Sequence, residues 1–217
     1  MIGRSKHATF KFRKDHIRNK INSWSSRCLL HAGREVLIKY VLQSIPSYVM
    51  SVFLLSGSLI NEIEKMLNSF WWGHNLANSR GLHWLSLERL SVPKVFGGMG
   101  FKGLKAFNMA MVGKQAWKLV STPESLITRL LKAKYFPRSD YFGASIGHNP
   151  SYVWRSIWSA KDVIRRGFQW NIGTSEHIPD WNHPWLGNAA RIVPSTHHHL
   201  EWAHITVSDL LVTSQKQ

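Results

Sequence analysis

The most informative segment for the fold is PKVFGGMGFKGLKAFNMAMVGKQAW, residues 93–117. In it a glycine-rich turn leads into one long amphipathic helix. Gly97, Gly98 and Gly100 lie close together, so the turn is predicted to contain positive φ angles or a close backbone approach. Lysines occupy much of the helix surface, which predicts one basic face and one buried face. The residues that recur at helical spacing on the predicted buried face are mostly apolar: Leu104, Phe107, Asn108, Met111, Val112, Gln115 and Leu119.

Helical patterns continue on both sides of this stretch. Periodicity, capping residues and terminal glycines predict helices at residues 10–26, 33–44, 58–72, 86–90, 122–134 and 151–166. An alternating apolar segment before turn residues predicts a small β-hairpin near residues 168–181. The fold class is therefore mainly α, a bundle of about six helices with one small hairpin. In the helix at 122–134, four aliphatic residues are predicted to be buried: Leu126, Ile127, Leu130 and Leu131.

Positive charge is concentrated in two blocks. The chain has 28 Lys and Arg against 12 Asp and Glu, a formal net charge of +16. Residues 1–50 carry ten of these cations with two acids, and residues 101–150 carry eight with two. Such blocks are typical of proteins that meet nucleic acid. Charge and helical position select nine candidate contact residues: Arg13, Lys14, Arg18, Lys20, Lys105, Lys114, Lys118, Lys132 and Lys134.

Several motifs occur in a fixed order along the chain. The central motif is PKxxGGxGFxxLxxFNxAxxxKxxW, followed by KYFP at 134–137 and PSxxWRSI at 150–157. Others are AGREVLIKYVLQSIPSYVMSVFLL at 32–55, FWWG at 70–73, HWLSLERL at 83–90, GFQWNIG at 167–173 and DWNHPWL at 180–186. Together they resemble the region C-terminal to the polymerase palm in plant non-LTR (LINE-type) retrotransposon reverse transcriptases. The resemblance runs from about Ile2 to Leu186.

The resemblance implies a division of the chain and a role. Residues 1–134 are expected to form a basic, helical, thumb-like domain, 135–149 a linker, 150–186 a connector of helix plus hairpin, and 187–217 a poorly structured tail. In such polymerases the thumb grips the primer-template duplex without reading its sequence. The expected partners are therefore RNA, DNA or an RNA–DNA hybrid, and also other parts of the retroelement polymerase.

No catalytic centre is expected in this chain. Two-metal polymerase chemistry needs clustered carboxylates, yet the five aspartates are isolated: Asp15, Asp140, Asp162, Asp180 and Asp209. In the family that the chain resembles, the catalytic aspartates lie upstream, and the zinc-binding segment and RNase H-like domain follow downstream. We therefore expect no catalytic residues, no cofactor and no metal site. The cluster at residues 197–199 is three adjacent histidines, which cannot all face one ion.

The sequence also bears on compartment and membranes. One cysteine, Cys28, excludes an internal disulfide and favours an intracellular site. Residues 36–55 are apolar, but Lys39, Gln43 and Pro46 interrupt them, so we interpret the segment as buried helix and expect no membrane contact. The resemblance implies the nucleus. The mitochondrion is the alternative, because plant mitochondrial genomes carry related fragments and the first 24 residues resemble a transit peptide.

Two other functions stay open. The chain fits a non-functional relic of a dead retroelement, and three departures from the family pattern favour decay: Tyr40, Ser56 and Leu87. It also fits a helical protein-interaction module that uses tryptophan-rich faces. Binding to a partner that is insensitive to salt would favour the module over the nucleic-acid interpretation.

Overall fold

A computed structural model describes residues 6–25, 29–73 and 84–167. The described part is helical and contains no β-strand, which confirms the mainly α fold class. The predicted hairpin near residues 168–181 and the predicted tail at 187–217 lie outside the described residues. The chain divides into two units, Met1–Asp162 and Val163–Gln217.

The described helices are shorter and more numerous than the pattern predicts. A π-helical turn, Leu37–Leu42, follows the helix His31–Val36, and a 3-10 turn, Lys94–Phe96, follows the helix Leu87–Leu90. None of the described helices is long and apolar enough to cross a bilayer. The α-helices are α1 (Lys6–Ser25), α2 (His31–Val36), α3 (Ser47–Met50), α4 (Gly57–Trp71), α5 (Leu87–Leu90), α6 (Leu104–Ser121), α7 (Leu126–Tyr135), α8 (Tyr152–Ser159) and α9 (Lys161–Gly167).

The first long helix, α1, packs against α4. Ile17 and Ile21 of α1 are fully buried, as are Ile63 and Leu67 of α4. Burying an aliphatic side chain contributes about 1.5–3 kcal/mol, so these four residues supply much of the contact. The apolar residues at helical spacing in the helix predicted at 58–72 form a buried stripe on α4: Ile60, Ile63, Met66, Leu67, Phe70 and Trp71.

A buried amide joins the π-helical turn to the start of α6. Gln43 is fully buried, and its backbone N–H donates to the carbonyl of Ile38 at 3.0 Å, five residues back. Its side-chain Nε2 donates to the Lys102 carbonyl at 2.9 Å, while its Oε1 accepts the Lys102 N–H at 3.1 Å. The π-helical turn therefore places the side-chain amide of Gln43 in the core. There the amide pairs with both the backbone N–H and the carbonyl of Lys102.

The long helix α6 carries a second buried amide on its core face. Asn108 is fully buried, and its Oδ1 accepts the Leu55 N–H at 2.8 Å. Its Nδ2 donates to the carbonyls of Met50 and Phe53, both at 2.9 Å. The segment after α3 is irregular and has backbone groups that no helix satisfies. Asn108 supplies those partners, so this polar residue in an apolar stripe holds α6 against residues 50–55.

The glycine turn before α6 needs its glycines. Gly97 and Gly100 have φ angles of 83° and 66°, which only glycine adopts readily. At Gly98 an added Cβ would lie 1.9 Å from the carbonyl oxygen of Val92. The predicted positive φ angles and close backbone approach are thus both confirmed. Backbone bonds from Met99 and Gly100 to the end of α5 then fix the direction in which α6 begins.

The N-terminus of α6 is capped by another helix. Its N-cap residue, Gly103, has no side chain, so the Leu104 N–H donates to Glu64 Oε1 on α4 at 3.2 Å. A carboxylate at a helix N-terminus also interacts favourably with the helix dipole. Burial nevertheless raises the pKa of Glu64, because desolvation outweighs the hydrogen bond from Leu104.

One predicted helix start is wrong by a few residues, and another predicted helix is interrupted. α7 begins after Ser125, whose hydroxyl accepts the Thr128 N–H at 3.3 Å, and not at Thr122. The Thr122 hydroxyl instead donates to the Lys118 carbonyl at 2.7 Å and closes α6. α8 begins after Ser151, within one residue of the predicted start, but the helix predicted to Arg166 is interrupted at residue 160. In each case the serine nearer the helix accepts the free N–H.

The predicted buried side of α7 is wrong for three of its four residues. Leu126, Ile127 and Leu130 are 77%, 64% and 61% exposed, whereas Leu131 is buried, together with Thr128. α7 packs against α6, and the three exposed aliphatic side chains face solvent.

Residues 135–149, predicted as a linker, pack on α8. Trp154 of α8 is fully buried and stacks on Tyr135 at 4.7 Å and on Phe136 at 5.5 Å between ring centroids. The Tyr141 hydroxyl donates to the Ile157 carbonyl at 2.7 Å, and burial raises the pKa of this phenol. The segment is thus anchored by aromatic side chains. The domain boundaries themselves stay a prediction.

Candidate nucleic-acid interface

The cations of α1 differ in how free they are. Lys14 is only 12% exposed, and its ammonium lies 2.6 Å from Glu62 Oε2 on α4. Arg13 is half-buried, with its guanidinium carbon 4.7 Å from the centroid of the Phe12 ring and its Nε buried without a hydrogen-bond partner. These two cations are therefore turned toward the protein. Lys14 serves mainly to hold α1 against α4.

Of the predicted contact residues on α1, Arg18 and Lys20 face solvent. The Arg18 side chain is 49% exposed, with a long 3.9 Å contact to Asp15 one turn earlier. Lys20 is exposed. An exposed pair at that distance contributes little to stability, so Arg18 is available to an external anion at little cost.

On α6, two of the three predicted lysines form a cluster. Lys114 and Lys118 are both exposed and lie one turn apart, on the side of α6 opposite its buried residues. Lys105 is also exposed, but nine residues, about two and a half turns, place it on the opposite side of the helix from Lys114. The structure therefore brings Lys114 and Lys118 together and leaves Lys105 apart.

Trp117 belongs to the same surface, although charge alone does not select it. This side chain is 42% exposed and lies three residues after Lys114 and one before Lys118. An indole beside two ammonium groups offers a flat apolar surface on which a base can stack. The signal was present in the sequence as a tryptophan at helical spacing from Lys114.

The last two predicted lysines lie in the final turn of α7. Lys132 and Lys134 are both exposed, and the Lys134 ammonium lies 5.4 Å from the centroid of the Tyr135 ring. Cations in the last turn of a helix interact favourably with the helix dipole, so Lys132 and Lys134 do not destabilise α7. Two residues apart, they point to different sides of α7, so they add positive charge around the end of this helix.

Two further cations, which the charge pattern did not select, are engaged elsewhere. The ammonium groups of Lys39 and Lys94 each lie 2.7 Å from Glu35 Oε1. Lys39 and then Lys94 hold the pKa of this carboxyl below its usual value through these hydrogen bonds. The Glu35 carboxylate thus offsets part of the positive charge of these two lysines. Its ion pair with Lys94 links the segment before the glycine turn to α2.

The tryptophan pair at the end of α4 is not a stacking surface. Trp71 is 7% exposed and packs edge-on against Phe101 at 5.3 Å. The Trp72 indole N–H is shared between Asn68 Oδ1 at 3.1 Å and the Leu85 carbonyl at 3.2 Å. Both rings therefore belong to the core of this end of the molecule.

Possible metal ligands do not form groups of three in the part of the chain that the structure describes. No group of three or more His, Cys, Asp or Glu side chains that could hold a metal ion occurs there. Asp180, Asp209 and the histidines at 197–199 lie outside the described residues. The absence of a catalytic or metal centre from the whole chain stays a prediction.

Comparison with known proteins places this chain in a plant family. It is 34% identical over 152 residues to "Uncharacterized mitochondrial protein AtMg00310" of Arabidopsis thaliana, a match that covers 70% of this chain and 98% of that protein. The chain belongs to the family of this protein. It is also 30% identical over 177 residues to "Putative ribonuclease H protein At1g65750" of the same plant.

The second match covers 79% of this chain but 28% of the relative's length. The chain therefore spans little more than a quarter of that longer protein. No protein-family model matches the chain. No solved structure matches it either.

Proposed function

We propose that this chain is a sequence-independent nucleic-acid-binding segment derived from a plant non-LTR retrotransposon reverse transcriptase. It corresponds to the thumb and connector that follow the polymerase palm. The observation that carries the proposal is the exposed pair Lys114 and Lys118, one turn apart on α6. The two relatives support a plant retroelement origin, since one name places a related segment inside a longer ribonuclease H protein.

The geometry favours contact with backbone phosphates. Two buried amides, Gln43 and Asn108, fix α6 and the loop that precedes it, so little conformational entropy is lost when an anion binds the helix. Ammonium groups bind phosphate as point charges and do not distinguish bases. RNA, DNA and a hybrid duplex are therefore all expected to bind, and Trp117 adds a place for an unpaired base.

The proposal includes the absence of polymerase activity from this chain. The five aspartates are isolated in the sequence, so none of them has the adjacent carboxylate that two-metal chemistry requires. Nucleotide incorporation by the purified chain on a primed template would contradict this part of the proposal.

A salt series tests binding. The purified chain is titrated with labelled RNA, DNA and hybrid duplexes, and circular dichroism is recorded on the same samples. Four exposed lysines on α6 and α7 predict a slope of log affinity against log salt of roughly −3 to −4. A helical chain with flat, weak binding contradicts the proposal, and an unfolded or aggregating chain favours the relic.

One double variant tests the residues. Lys114→Gln with Lys118→Gln is expected to lower affinity to a similar extent for all three nucleic acids and to flatten the salt slope by roughly 2. Lys65→Gln, which removes an exposed lysine from α4, is the control and should leave the slope near that of the parent. Unchanged binding by the double variant would remove this pair from the interface.

The compartment is a separate part of the proposal. The resemblance implies the nucleus, whereas the first relative is named as a mitochondrial protein, which favours the mitochondrion. Imaging of a fluorescent fusion in plant cells, with a mitochondrial marker, distinguishes these two.

A further inference from the structure

A cavity of about 710 Å³ lies between α6, α7 and α8 and is open to solvent on one side. Its size falls within the range of about 300–1,000 Å³ typical of binding clefts. We name it the α6–α8 groove. Its walls are largely aliphatic, formed by Val52, Leu119, Leu126, Ile127, Val153 and Ile157.

The groove continues onto an exposed aliphatic surface. Leu126 and Ile127 line the groove while remaining 77% and 64% exposed, and Leu130, one turn after Leu126, is 61% exposed. Three large aliphatic side chains on one side of a short helix are costly to leave in water. Contiguous exposed apolar surface of this kind marks interaction sites.

Positive charge lies in the wall of the groove and at the end of the aliphatic surface that extends from it. Lys118 lines its α6 wall, and Lys134 lies one turn beyond Leu130 on the same side of α7. None of the lining residues is acidic, and Glu124, in the turn between the two helices, is not among them. A partner that binds the groove is therefore expected to present an aliphatic surface with negative charges at its edges.

The residues that line the groove favour one class of binding partner over the others. Bases bind proteins by stacking on aromatic rings or guanidinium planes, and no aromatic or arginine side chain lines this groove. Strand addition needs a sheet edge, and the described residues contain no strand. An amphipathic helix fits both features, because it presents aliphatic residues on one face and charged residues beside them.

We propose that the α6–α8 groove binds an acidic amphipathic helix from another protein. The apolar face of that helix fills the groove and covers Leu126, Ile127 and Leu130, and its flanking carboxylates contact Lys118 and Lys134. The groove and the proposed phosphate-binding surface share Lys118, but the groove depends on its aliphatic walls and the phosphate-binding surface on lysines, so failure of either proposal leaves the other standing.

Synthetic peptides of about 18 residues, five helical turns, test the site in the full chain. The first peptide has leucines at helical spacing on one face and glutamates beside them, and it is expected to bind in a fluorescence anisotropy titration. A second peptide replaces every glutamate with lysine, and a third keeps the glutamates but replaces the leucines with serine. Neither should bind, because each lacks one of the two features of the groove. Equal binding of all acidic peptides would show charge attraction alone and would overturn the proposal.

Matched variants of the protein locate the binding. Ile127→Glu should weaken the first peptide at least about tenfold, because it puts a carboxylate in the aliphatic wall. Val95→Glu makes the same change at a residue that is 89% exposed outside the groove, and should stay within about twofold of the parent. Lys118→Glu should shift preference toward the lysine peptide, whereas Lys65→Glu should not.

Folding and competition complete the test. Circular dichroism checks each variant, and Ile127→Ala replaces Ile127→Glu if helicity is lost, with a smaller but measurable weakening expected. If Ile127→Glu and Val95→Glu weaken the peptide equally, the groove is not the site. If a single-stranded oligonucleotide displaces the peptide from the parent and itself loses affinity in Ile127→Glu, the groove binds nucleic acid and the proposal is wrong.

Discussion

Replacement of Asn108 by leucine should strongly destabilise the attachment of α6 to residues 50–55. The asparagine amide makes three hydrogen bonds, at 2.8 Å to the Leu55 N–H and at 2.9 Å to each of the Met50 and Phe53 carbonyls. Leucine has a similar shape, so the substitution leaves little cavity and isolates the loss of hydrogen bonding. Each buried backbone group without a partner costs about 1–3 kcal/mol, which sums to at least about 3 kcal/mol for three groups. That is a large part of the roughly 5–15 kcal/mol by which a domain is stable.

Urea unfolding followed by circular dichroism measures this cost. Asn61→Leu is the matched control, since it makes the same chemical change at an exposed position of α4 and should shift the free energy of unfolding by less than about 0.5 kcal/mol. A variant of Asn108 that unfolds within about 1 kcal/mol of the parent would refute the reasoning. It would mean that residues 50–55 find other hydrogen-bond partners, and that Asn108 does not hold α6 in place.

Two further predictions concern the glycine turn and the pH dependence of stability. Gly98→Ala should strongly destabilise the fold, because its Cβ would overlap the Val92 carbonyl. Gly103→Ala should be tolerated, because its Cβ would meet no atom within 4 Å. Thermal unfolding of the two variants tests this difference in stability. Glu35→Gln should be less stable than the parent at neutral pH, with the difference lost as the pH falls through the lowered pKa of Glu35, because only the ionised carboxyl binds the two lysines strongly. Glu64→Gln should be at least as stable as the parent at neutral pH, with any gain lost as the pH falls below the raised pKa of Glu64 and the parent carboxyl is protonated. Urea unfolding across a pH series measures both, and parallel curves for the parent and the two variants would contradict the stated causes.

Features that depend on neighbouring residues were predictable from the sequence. Three glycines in four positions allow a backbone that few other residues adopt, and the structure uses two of them for positive φ and one for close packing. The apolar stripe of α4 was likewise predictable, because a period of 3.6 residues marks a buried face wherever the helix packs. Local steric and periodic rules are sufficient in both places.

Features that depend on distant residues were not predictable. The sequence of α7 does not say which of its sides meets α6, so Leu126 and Leu130 look like core residues and yet face solvent. Lys14 looks like a free cation, but Glu62 lies 48 residues away in the chain and within 2.6 Å in space. Charge and periodicity can be read from the sequence of one helix, whereas burial and ion pairing depend on how two helices pack together.

The two proposed surfaces meet at one residue. Lys118 stands beside Lys114 on the exposed side of α6 and also lines the α6–α8 groove. A single ammonium cannot neutralise a phosphate and a partner carboxylate at full strength at the same time, because each anion reduces its attraction for the other. If both proposals hold, an acidic helix in the groove and a duplex along α6 therefore weaken each other, by the same factor in both directions. Under the two proposals together, the aliphatic groove supplies the binding energy of the helix, and Lys118 supplies the coupling by which a protein partner is expected to release nucleic acid.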